Sequence, residues 1–398
     1  MNSKKILFLF TDSFPYGYNE TYTLSEMKIT QNEYEKIYFF PLNCKDEGAN
    51  RFVAEHAKMI NIHTLYSDKS VSYLRILSIW LYELFNTSHK SKYFKKFVIL
   101  KLYNALFYAN RVKRFIKEEG LNSNNIVFYS YWNYHWSLVC AILKKDYPNS
   151  LILTRTHLHD LYDYLSFNHF ANFKYSSLDK VVCISQHGLD YLKGNYKKYS
   201  SKFSLSYLGA MEQEKHTTEQ VVDGKYIIAS CSSVRLEKRV DSIADILKHI
   251  DVPVVWHHFG GGPNFETLKK KVLDLPNNIE VLLHGSVSNA FILDSYKKLT
   301  IDLFINVSYE EGLPFSLMEI ISFGVPILAC DIYGNKEICT KETGILIEEN
   351  FDPNKVAIQI KNFLLQPSVK REGVLSFWNR EFSAEKNFKA LSEQIKSY

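Results

Sequence analysis

The chain has 398 residues, of which 46% are hydrophobic and 23% are charged, and its formal net charge is +5. This length exceeds one ordinary hydrophobic core and predicts two domains of about 150–200 residues each. No run approaches the roughly 18 consecutive apolar residues that cross a bilayer, and the first apolar run is too short for a signal peptide, so we expect a cytoplasmic protein.

The first half of the chain alternates short apolar runs with longer amphipathic segments. Strands are predicted at 5–10, 36–42, 125–131, 150–157, 180–185 and 202–208. Near-continuous apolar runs of this length are typical of parallel strands that are buried on both faces. Helices are predicted between them, for example at 22–33 and at 104–120, where Gly120 suits a helix C-terminus.

Residues 89–117 contain nine Lys or Arg and no acidic residue, interleaved with aromatic and aliphatic residues at helical spacing. One interpretation is a solvated helix face over a core stripe. The other is a patch that binds an anionic membrane surface. No recognised nucleic-acid-binding motif accompanies the charge, so we expect no nucleic-acid partner.

The alternation restarts after residue 215, with strands predicted at 225–233, 252–260, 279–285, 303–308 and 326–331. Two successive βα alternations predict two doubly wound sheets, and the polar stretch 212–224 is the natural linker. The predicted domains are 1–210, 211–380 and a helix at 381–398. In that helix Phe388, Leu391 and Ile395 share one face.

Neither the cysteines nor the histidines predict a metal site. The six cysteines lack C-x-x-C spacing, and most lie in apolar runs, so buried reduced thiols are expected. Arg155, His157, His159 and Asp160 follow a predicted strand. In an extended chain the two histidines would point one way and Asp160 the other, which disfavours metal ligation. A histidine that hydrogen-bonds a substrate and a purely structural histidine both remain open.

Three further loops follow strands, where doubly wound sheets bind their ligands. Gly17, Glu20 and Thr21 lie in the first, although Pro-Tyr-Gly is also ordinary turn chemistry. Arg235, Lys238 and Arg239 lie in a second loop, which suits a diphosphate or is simply a charged surface run.

The fourth loop, EEGLPFSLME at 310–319, opens a helix after a strand. Gly312 and the amides near Phe315 and Ser316 could accept an anion. Glu311 would lie in the loop and Glu319 in the second helical turn. The alternative for Glu319 is a capping box with Ser316, which has the S-x-x-E spacing.

The segment 310–338 continues with a G-x-P turn at Gly324 and Pro326 and with D-x-x-G-x-x-E at 331–337. With its E-x7-E pair, Glu311 and Glu319, it resembles the signature of the retaining GT-B glycosyltransferases grouped as family 4. Other segments are similar to that family in the same order, and the resemblance covers most of the chain except about 45–125. These segments are 14–27, 155–162, 230–243, 257–269, 283–298 and 382–388.

The resemblance implies a GT-B fold: two Rossmann-like doubly wound domains facing each other across a cleft, with the C-terminal helix crossing back to the first domain. It also implies that Glu311 contacts the donor sugar, Glu319 the ribose and Lys238 the diphosphate, while His157 lies by the transferred sugar. Other residues implied to bind the donor are Arg235, Gly312, Leu313, Phe315, Ser316 and Val287. Gly17, Glu20 and Thr21 would belong to an acceptor or phosphate loop. No metal or other cofactor is implied.

Two positions depart from the family pattern. Many members carry an arginine five residues before the lysine, where this chain has Ser233, and Leu158 replaces the glycine after the family's histidine. The donor sugar is therefore not fixed by the resemblance.

The sequence predicts a retaining glycosyltransferase that moves a hexose or N-acetylhexosamine from a UDP-sugar to a growing surface glycan. The basic segment 89–117 adds the expectation of a lipid-linked acceptor and of peripheral membrane association. A catalytically silent GT-B binding protein remains an alternative. A dinucleotide-dependent oxidoreductase is disfavoured because FGGGPNF does not form G-x-G-x-x-G at the first βα turn.

Overall fold

The computed structural model describes residues 4–17, 20–44, 52, 54–66, 71–213 and 224–398. The chain divides into two compact units, Met1–Tyr207 with Phe388–Tyr398, and Leu208–Asn387. Most of the predicted linker, residues 214–223, lies outside the described residues.

The N-terminal unit is built on one sheet in which every described strand pair is parallel. Its strands are β1 (Lys5–Thr11), β2 (Tyr34–Pro41), β3 (Ala57–Met59), β4 (Ile126–Ser130), β5 (Leu151–Thr156), β6 (Lys180–Cys183) and β7 (Phe203–Leu205). The order in the sheet is β3-β2-β1-β4-β5-β6-β7. Its helices are α1 (Thr21–Thr30), α2 (Tyr73–Asn86), α3 (Lys96–Glu118), α4 (His135–Asp146), α5 (Ala171–Ser177) and α6 (Gln186–Asn195).

The central strand β1 shows why this sheet is covered on both faces. Successive side chains of a strand point to opposite faces, and Leu7, Phe8, Leu9 and Phe10 are all fully buried. On one face the Phe8 ring contacts aromatic rings of β2, β4 and α3 at centroid distances of 5.2–6.0 Å. On the other face Leu7 and Leu9 join a separate hydrophobic cluster. The continuous apolar run therefore forms a two-sided core.

The second unit contains another fully parallel sheet among its described strands. Its strands are β8 (Tyr226–Cys231), β9 (Val254–Phe259), β10 (Ile279–Leu283), β11 (Leu303–Asn306), β12 (Ile327–Cys330) and β13 (Gly344–Ile347). They are ordered β10-β9-β8-β11-β12-β13. Its helices are α7 (Val240–Leu247), α8 (Phe265–Lys271), α9 (Asn289–Lys298), α10 (Phe315–Ile321), α11 (Asn335–Ile338), α12 (Pro353–Leu365) and α13 (Arg371–Glu381).

The last helix, α14 (Ala384–Lys396), begins in the second unit and belongs to the N-terminal unit from Phe388 onward. Phe388, Leu391 and Ile395 are buried, as their shared face predicts, and the last two join the cluster beneath β1. Each buried side chain of this size contributes about 1.5–3 kcal/mol, so the stripe ties the chain end to the N-terminal core.

Both sheets reverse their strand order at the first strand of the unit, between β1 and β4 and between β8 and β11. Loops leave such a point in opposite directions and create a crevice at the carboxyl ends of the strands. The two doubly wound, Rossmann-like sheets and the returning C-terminal helix confirm the predicted fold class.

The structure also contains elements that the sequence patterns do not predict. The edge strands β3 and β13 and the whole of α2 are additional, and α3 begins at Lys96 rather than at 104. The two added strands lie at sheet edges, so the strands predicted from the sequence remain in the interior of each sheet or at its opposite edge.

Candidate functional site

Lys238 and Glu311 form an ion pair that bridges the two loops at the reversal point of the second sheet. Lys238 lies in the loop after β8, and Glu311 in the loop after β11. The Lys238 Nζ donates to Glu311 Oε1 at 2.7 Å, and the two side chains are 22% and 13% exposed. A cation and a carboxylate are therefore held together where ligands bind in this class of sheet, and both are still reachable from solvent.

The Glu311 carboxylate is oriented by the end of β11. The Ser308 hydroxyl donates to the same oxygen at 2.9 Å, and Asn306 Nδ2 lies 3.5 Å from it. Asn306 Oδ1 in turn accepts the Ser308 backbone N–H at 3.0 Å. Ser308 and Asn306 were not singled out in the sequence, although both lie within five residues of Glu311.

Glu319 is buried in α10, where its Oε1 accepts a hydrogen bond from Asn289 Nδ2 at 2.8 Å. Burial raises the pKa of Glu319 to about 7, and the hydrogen bond from Asn289 only partly offsets this effect. The capping-box alternative is wrong. The helix begins at Phe315, its N-cap is Pro314, and no side chain caps it, so Ser316 already lies within the first turn.

The loop before α10 is held by a close backbone approach. A Cβ on Gly334 would lie 2.0 Å from the Gly312 carbonyl oxygen. Only glycine fits at this position without shifting the loop. Leu313 is buried, whereas Gly312, Phe315 and Ser316 are half-buried at the loop surface. The glycine of the D-x-x-G-x-x-E tail thus positions the loop that carries Glu311.

The other donor-side residues differ in their surroundings. Arg235 and Ser233 are exposed, and the Arg235 backbone N–H donates to the Ser233 carbonyl at 2.9 Å. Arg239 has a structural role, since its guanidinium donates to the carbonyls of Val307 and Glu349 at 2.6 and 2.8 Å. The structure therefore brings Lys238, and not Arg235 or Arg239, to Glu311.

Val287 lies in the connection between β10 and α9 and is half-buried. The following residue, Ser288, caps α9 by accepting the Phe291 N–H at 3.2 Å. This cap sets the start of the helix at Asn289, whose amide reaches Glu319. Asn289 is a third residue absent from the sequence prediction, although it directly follows the G-S-V-S segment.

In the N-terminal unit, Glu20 organises the loop after β1. It adopts a left-handed conformation at the N-terminus of α1, with φ of 56°, and is buried. Its Oε2 accepts the backbone N–H groups of Ser13 and Phe14 at 2.9 and 2.7 Å, and its Oε1 accepts Trp132 Nε1 at 2.6 Å. These contacts favour a role in shaping the loop that carries Gly17 over direct ligand contact. Thr21, the first residue of α1, is half-buried beside it.

His157 follows β5 and lies in an aromatic enclosure. Its ring is 4.1 Å from Trp132 and 5.6 Å from Tyr22, measured between centroids. The residue is buried, and neither ring nitrogen has a hydrogen-bond partner within the described residues. The structure therefore brings His157 and Glu20 together through Trp132, which the sequence prediction did not include.

Asp160 does not point away from His157. The strand ends at Thr156 and the chain turns, so Asp160 Oδ1 accepts the His157 backbone N–H at 2.6 Å. The expectation of opposite directions was wrong because it assumed extended backbone beyond β5. Arg155 is fully buried, donates to the Tyr129 hydroxyl at 2.8 Å and lies 3.3 Å from Glu26, so it belongs to the core.

The described residues contain no cluster of side chains that could bind a metal ion. No group of three or more His, Cys, Asp or Glu side chains among them is arranged to hold an ion. All six cysteines are free thiols, and Cys140, Cys183, Cys330 and Cys339 are buried.

Residues 211–373 match the family model of glycosyl transferases group 1. This match covers the second unit, including the loops of Lys238 and Glu311 and the buried Glu319. The second unit carries a glycosyltransferase group 1 domain.

Curated relatives match this chain over limited segments. The UDP-N-acetylglucosamine–peptide N-acetylglucosaminyltransferase GtfA subunit of Streptococcus gordonii is 23% identical over 184 residues, which is 44% of this chain and 35% of the relative. The O-antigen biosynthesis glycosyltransferase WbnH of Escherichia coli is 35% identical over 96 residues, 24% of this chain and 26% of the relative. The chain thus matches about a quarter to a third of each relative's length.

A solved structure of Anabaena Alr3699/HepE in complex with UDP is similar in fold over 99% of this chain and 100% of that chain. The TM-score is 0.69 and the sequence identity 13%. The chain therefore has the GT-B fold. Among the described helices, none is both long enough and apolar enough to span a bilayer.

Proposed function

We propose that the protein is a retaining glycosyltransferase that moves a hexose or N-acetylhexosamine from a UDP-sugar to a growing surface glycan. The observation that carries this proposal is the Lys238–Glu311 ion pair at the reversal point of the second sheet, with Glu319 buried in the adjoining helix. Two separate loops contribute Lys238 and Glu311, and no core-packing requirement explains a partly exposed cation and carboxylate there.

Transfer from a nucleotide sugar separates an oxocarbenium-like sugar from an anionic diphosphate. The reaction therefore needs positive charge where the leaving group develops, and Lys238 supplies it. The backbone N–H groups of Gly312, Leu313, Phe315 and Ser316 are further donors for a phosphate or for the sugar; Pro314 has none. In this proposal Lys238 exchanges its contact with Glu311 for one with the diphosphate.

Once the lysine turns to the diphosphate, Glu311 can accept hydrogen bonds from sugar hydroxyls. Ser308 and Asn306 continue to orient its carboxylate, so the donor sugar meets a pre-positioned acceptor group. In the N-terminal unit, His157 offers a ring nitrogen without a protein partner in the described structure, which suits a sugar hydroxyl. Glu319 is proposed to accept hydrogen bonds from the ribose.

Uridine is the proposed base because one similar protein is a UDP-N-acetylglucosamine transferase subunit and another was solved in complex with UDP. A surface glycan is the proposed acceptor because the WbnH relative acts in O-antigen biosynthesis. No metal or other cofactor is proposed.

The N-terminal unit presents a surface that favours a membrane-associated acceptor. Along α2, Leu74, Leu77, Leu81 and Phe85 recur at intervals of three and four residues and are all exposed, opposite the buried Ile76 and Ile79. Together with the exposed Phe94, Phe97 and Leu100 and the exposed Lys90, Lys95, Lys96 and Lys101, they form what we call the α2–α3 surface.

The charged side chains of the α2–α3 surface are all positive. The only carboxylate between residues 71 and 117 is Glu83, which is fully buried and accepts the backbone N–H of Phe173 at 2.8 Å. Exposed apolar side chains surrounded by lysines suit an anionic bilayer, where apolar burial and attraction to lipid headgroups act together. We therefore propose peripheral membrane association through this surface.

Vesicle sedimentation tests the membrane proposal. Binding should rise with the anionic lipid fraction and fall with salt, and Phe85→Ser should weaken it. Ile358→Ser is the matched control, because Ile358 is exposed on α12 and lies outside the α2–α3 surface. Equal binding to neutral and anionic vesicles contradicts the proposal.

Transfer from a panel of nucleotide sugars to lipid-linked saccharide acceptors tests the activity. Glu311→Ala should reduce turnover strongly while thermal unfolding stays close to that of the wild type, and product anomers read by NMR should show retention. Near-wild-type transfer by Glu311→Ala contradicts the role of Glu311.

A catalytically silent binding protein is the second candidate, favoured by Ser233, which is exposed where an arginine is common in the resembled family. Thermal-shift measurements with UDP, GDP, ADP and NAD separate the candidates. A shift with UDP, accompanied by neither hydrolysis nor transfer, would support the silent form, and a shift with NAD alone would support an oxidoreductase.

A further inference from the structure

A cavity of about 220 Å³ lies in the N-terminal unit, apart from the residues assigned above. Four of its lining residues are cationic or can become so, namely Lys101 of α3, His135 of α4, His169 and Lys174 of α5. None of the described residues that line it carries a carboxylate. A cavity with several basic groups and no acid is built for an anion.

The backbone around the cavity adds to the positive field. His135 is the first residue of α4, a helix of 12 residues that starts just after β4. The N-terminus of a helix carries a partial positive charge and backbone N–H groups without intrahelical partners. The cavity thus lies at the carboxyl end of the sheet, where these groups converge.

One side chain in this cavity lacks a protein partner. The Nε2 atom of His135 is buried and has no hydrogen-bond partner in the described part of the structure. A buried nitrogen without a partner is costly, and a ligand oxygen would satisfy it.

Lys174 differs, because its Nζ already donates to the Asn133 carbonyl at 2.7 Å and to Asn133 Oδ1 at 3.0 Å. It also donates to Asn168 Oδ1. These protein acceptors therefore hold the Lys174 ammonium group in place, and it contributes to the cavity through its charge when protonated. Lys101 and His135 are the groups free to contact a ligand directly.

Three of the four basic groups have lowered pKa values. Burial, followed by the nearby Lys101 charge, lowers the pKa of both His135 and His169 to about 4. Burial lowers the pKa of Lys174 to about 7, although the carboxylates of Asp160, Glu83 and Asp163 act in the opposite direction. A bound anion would favour the protonated form of each group.

We propose that this cavity binds a phosphate or diphosphate group. The identity of this group rests on the proposed function. It is the phosphate or diphosphate that joins the lipid tail of the acceptor to its saccharide. The cavity opens beside the α2–α3 surface, since Lys101 Nζ lies 5.4 Å from the Phe97 ring and that ring lies 5.4 Å from His169. A lipid tail held at the surface would place its headgroup at this opening.

Calorimetric titration of the full chain with inorganic pyrophosphate tests the site without nucleotide or transfer. The titration uses a Lys238→Ala background, which removes the cation proposed to bind the donor diphosphate. Lys101→Ala and His135→Asn should each weaken binding about tenfold, the factor for one lost charge-assisted contact. Lys117→Ala, an exposed charge farther along α3, is the matched control and should change nothing.

Absence of pyrophosphate binding in the Lys238→Ala background overturns the proposal, as does unchanged affinity in Lys101→Ala. Competition by vesicles of neutral lipid that carry polyprenyl diphosphate supports a lipid-linked ligand. If inorganic phosphate competes and these vesicles do not, the assignment to a lipid-linked ligand is wrong. Because the titration needs no donor, failure of transfer with pyrophosphate binding intact counts against the proposed function and not against this cavity.

Discussion

Replacing Glu319 with glutamine should change how the stability of the protein depends on pH. The carboxylate is buried in α10 and has one amide donor, Asn289, at 2.8 Å. Burial raises the pKa of Glu319 from 4.5 in the unfolded chain to about 7 in the fold. The protonated form therefore stabilises the fold at low pH, and this contribution disappears as the pH rises through 7.

The magnitude follows from the two pKa values. At pH 5.5 the folded form binds the proton and the unfolded form has largely lost it, which favours folding by about 2 kcal/mol. At pH 8 both forms are ionised and the contribution is close to zero. Glutamine at 319 is neutral throughout, so it removes this dependence.

Chemical unfolding at pH 5.5 and pH 8 measures the difference between wild type and Glu319→Gln at each pH. The variant should gain about 2 kcal/mol relative to the wild type on going from pH 5.5 to pH 8. It should bind UDP more weakly at pH 8, because a carboxylate accepts ribose hydrogen bonds better than an amide. If wild type and Glu319→Gln differ in unfolding free energy by the same amount at both pH values, the pKa of Glu319 is not raised by folding.

Three further substitutions test the site and its supports. Lys238→Ala should raise the transfer barrier by about 2–3 kcal/mol, a loss of about 30- to 150-fold in turnover, whereas Arg235→Ala should cost far less; equal losses contradict the assignment of the diphosphate to Lys238. Gly334→Ala should reduce turnover at least tenfold by pushing on the Gly312 carbonyl, whereas Gly373→Ala, where a Cβ meets nothing within 4 Å, should leave turnover unchanged in the same assay. Trp132→Phe should lower the unfolding free energy by about 1–3 kcal/mol, because it removes the donor to Glu20; an unchanged denaturation midpoint would show that this hydrogen bond is not stabilising.

The sequence predicts the centre of each sheet well because buried parallel strands need continuous apolar runs. KILFLF at 5–10 and ILAC at 327–330 are such runs, and both are internal strands that pair on each side. The edge strands β3, AKM, and β13, GILI, are short and half-exposed, so their composition does not separate them from loops. Their pairing is decided by the neighbouring strand.

Helix α2 was missed for a different reason. Its exposed leucines and its buried face together make nearly the whole segment apolar, which hides the period of 3.6 residues. The exposed stripe becomes visible only when the buried side is known from the packing of Ile76 and Ile79.

The sequence predicts the charged residues of the candidate site but not the residues that hydrogen-bond to them and orient them. Lys238 and Glu311 stand out because they follow predicted strands, where doubly wound sheets bind ligands, and Glu319 stands out because it completes the E-x7-E pair. Asn289 and Trp132 do not stand out, because their role depends on a contact with a residue 30 or 112 positions away. The capping-box alternative for Glu319 also needed the helix start, which the sequence leaves uncertain by a few residues.

A crystal structure of the protein with UDP would show whether Lys238 and Glu319 bind the nucleotide. We expect a diphosphate within hydrogen-bond distance of Lys238 Nζ, which has left Glu311, and ribose hydroxyls on the Glu319 carboxylate. UDP bound away from the loops after β8 and β11, with the Lys238–Glu311 pair intact, would contradict the proposed donor site.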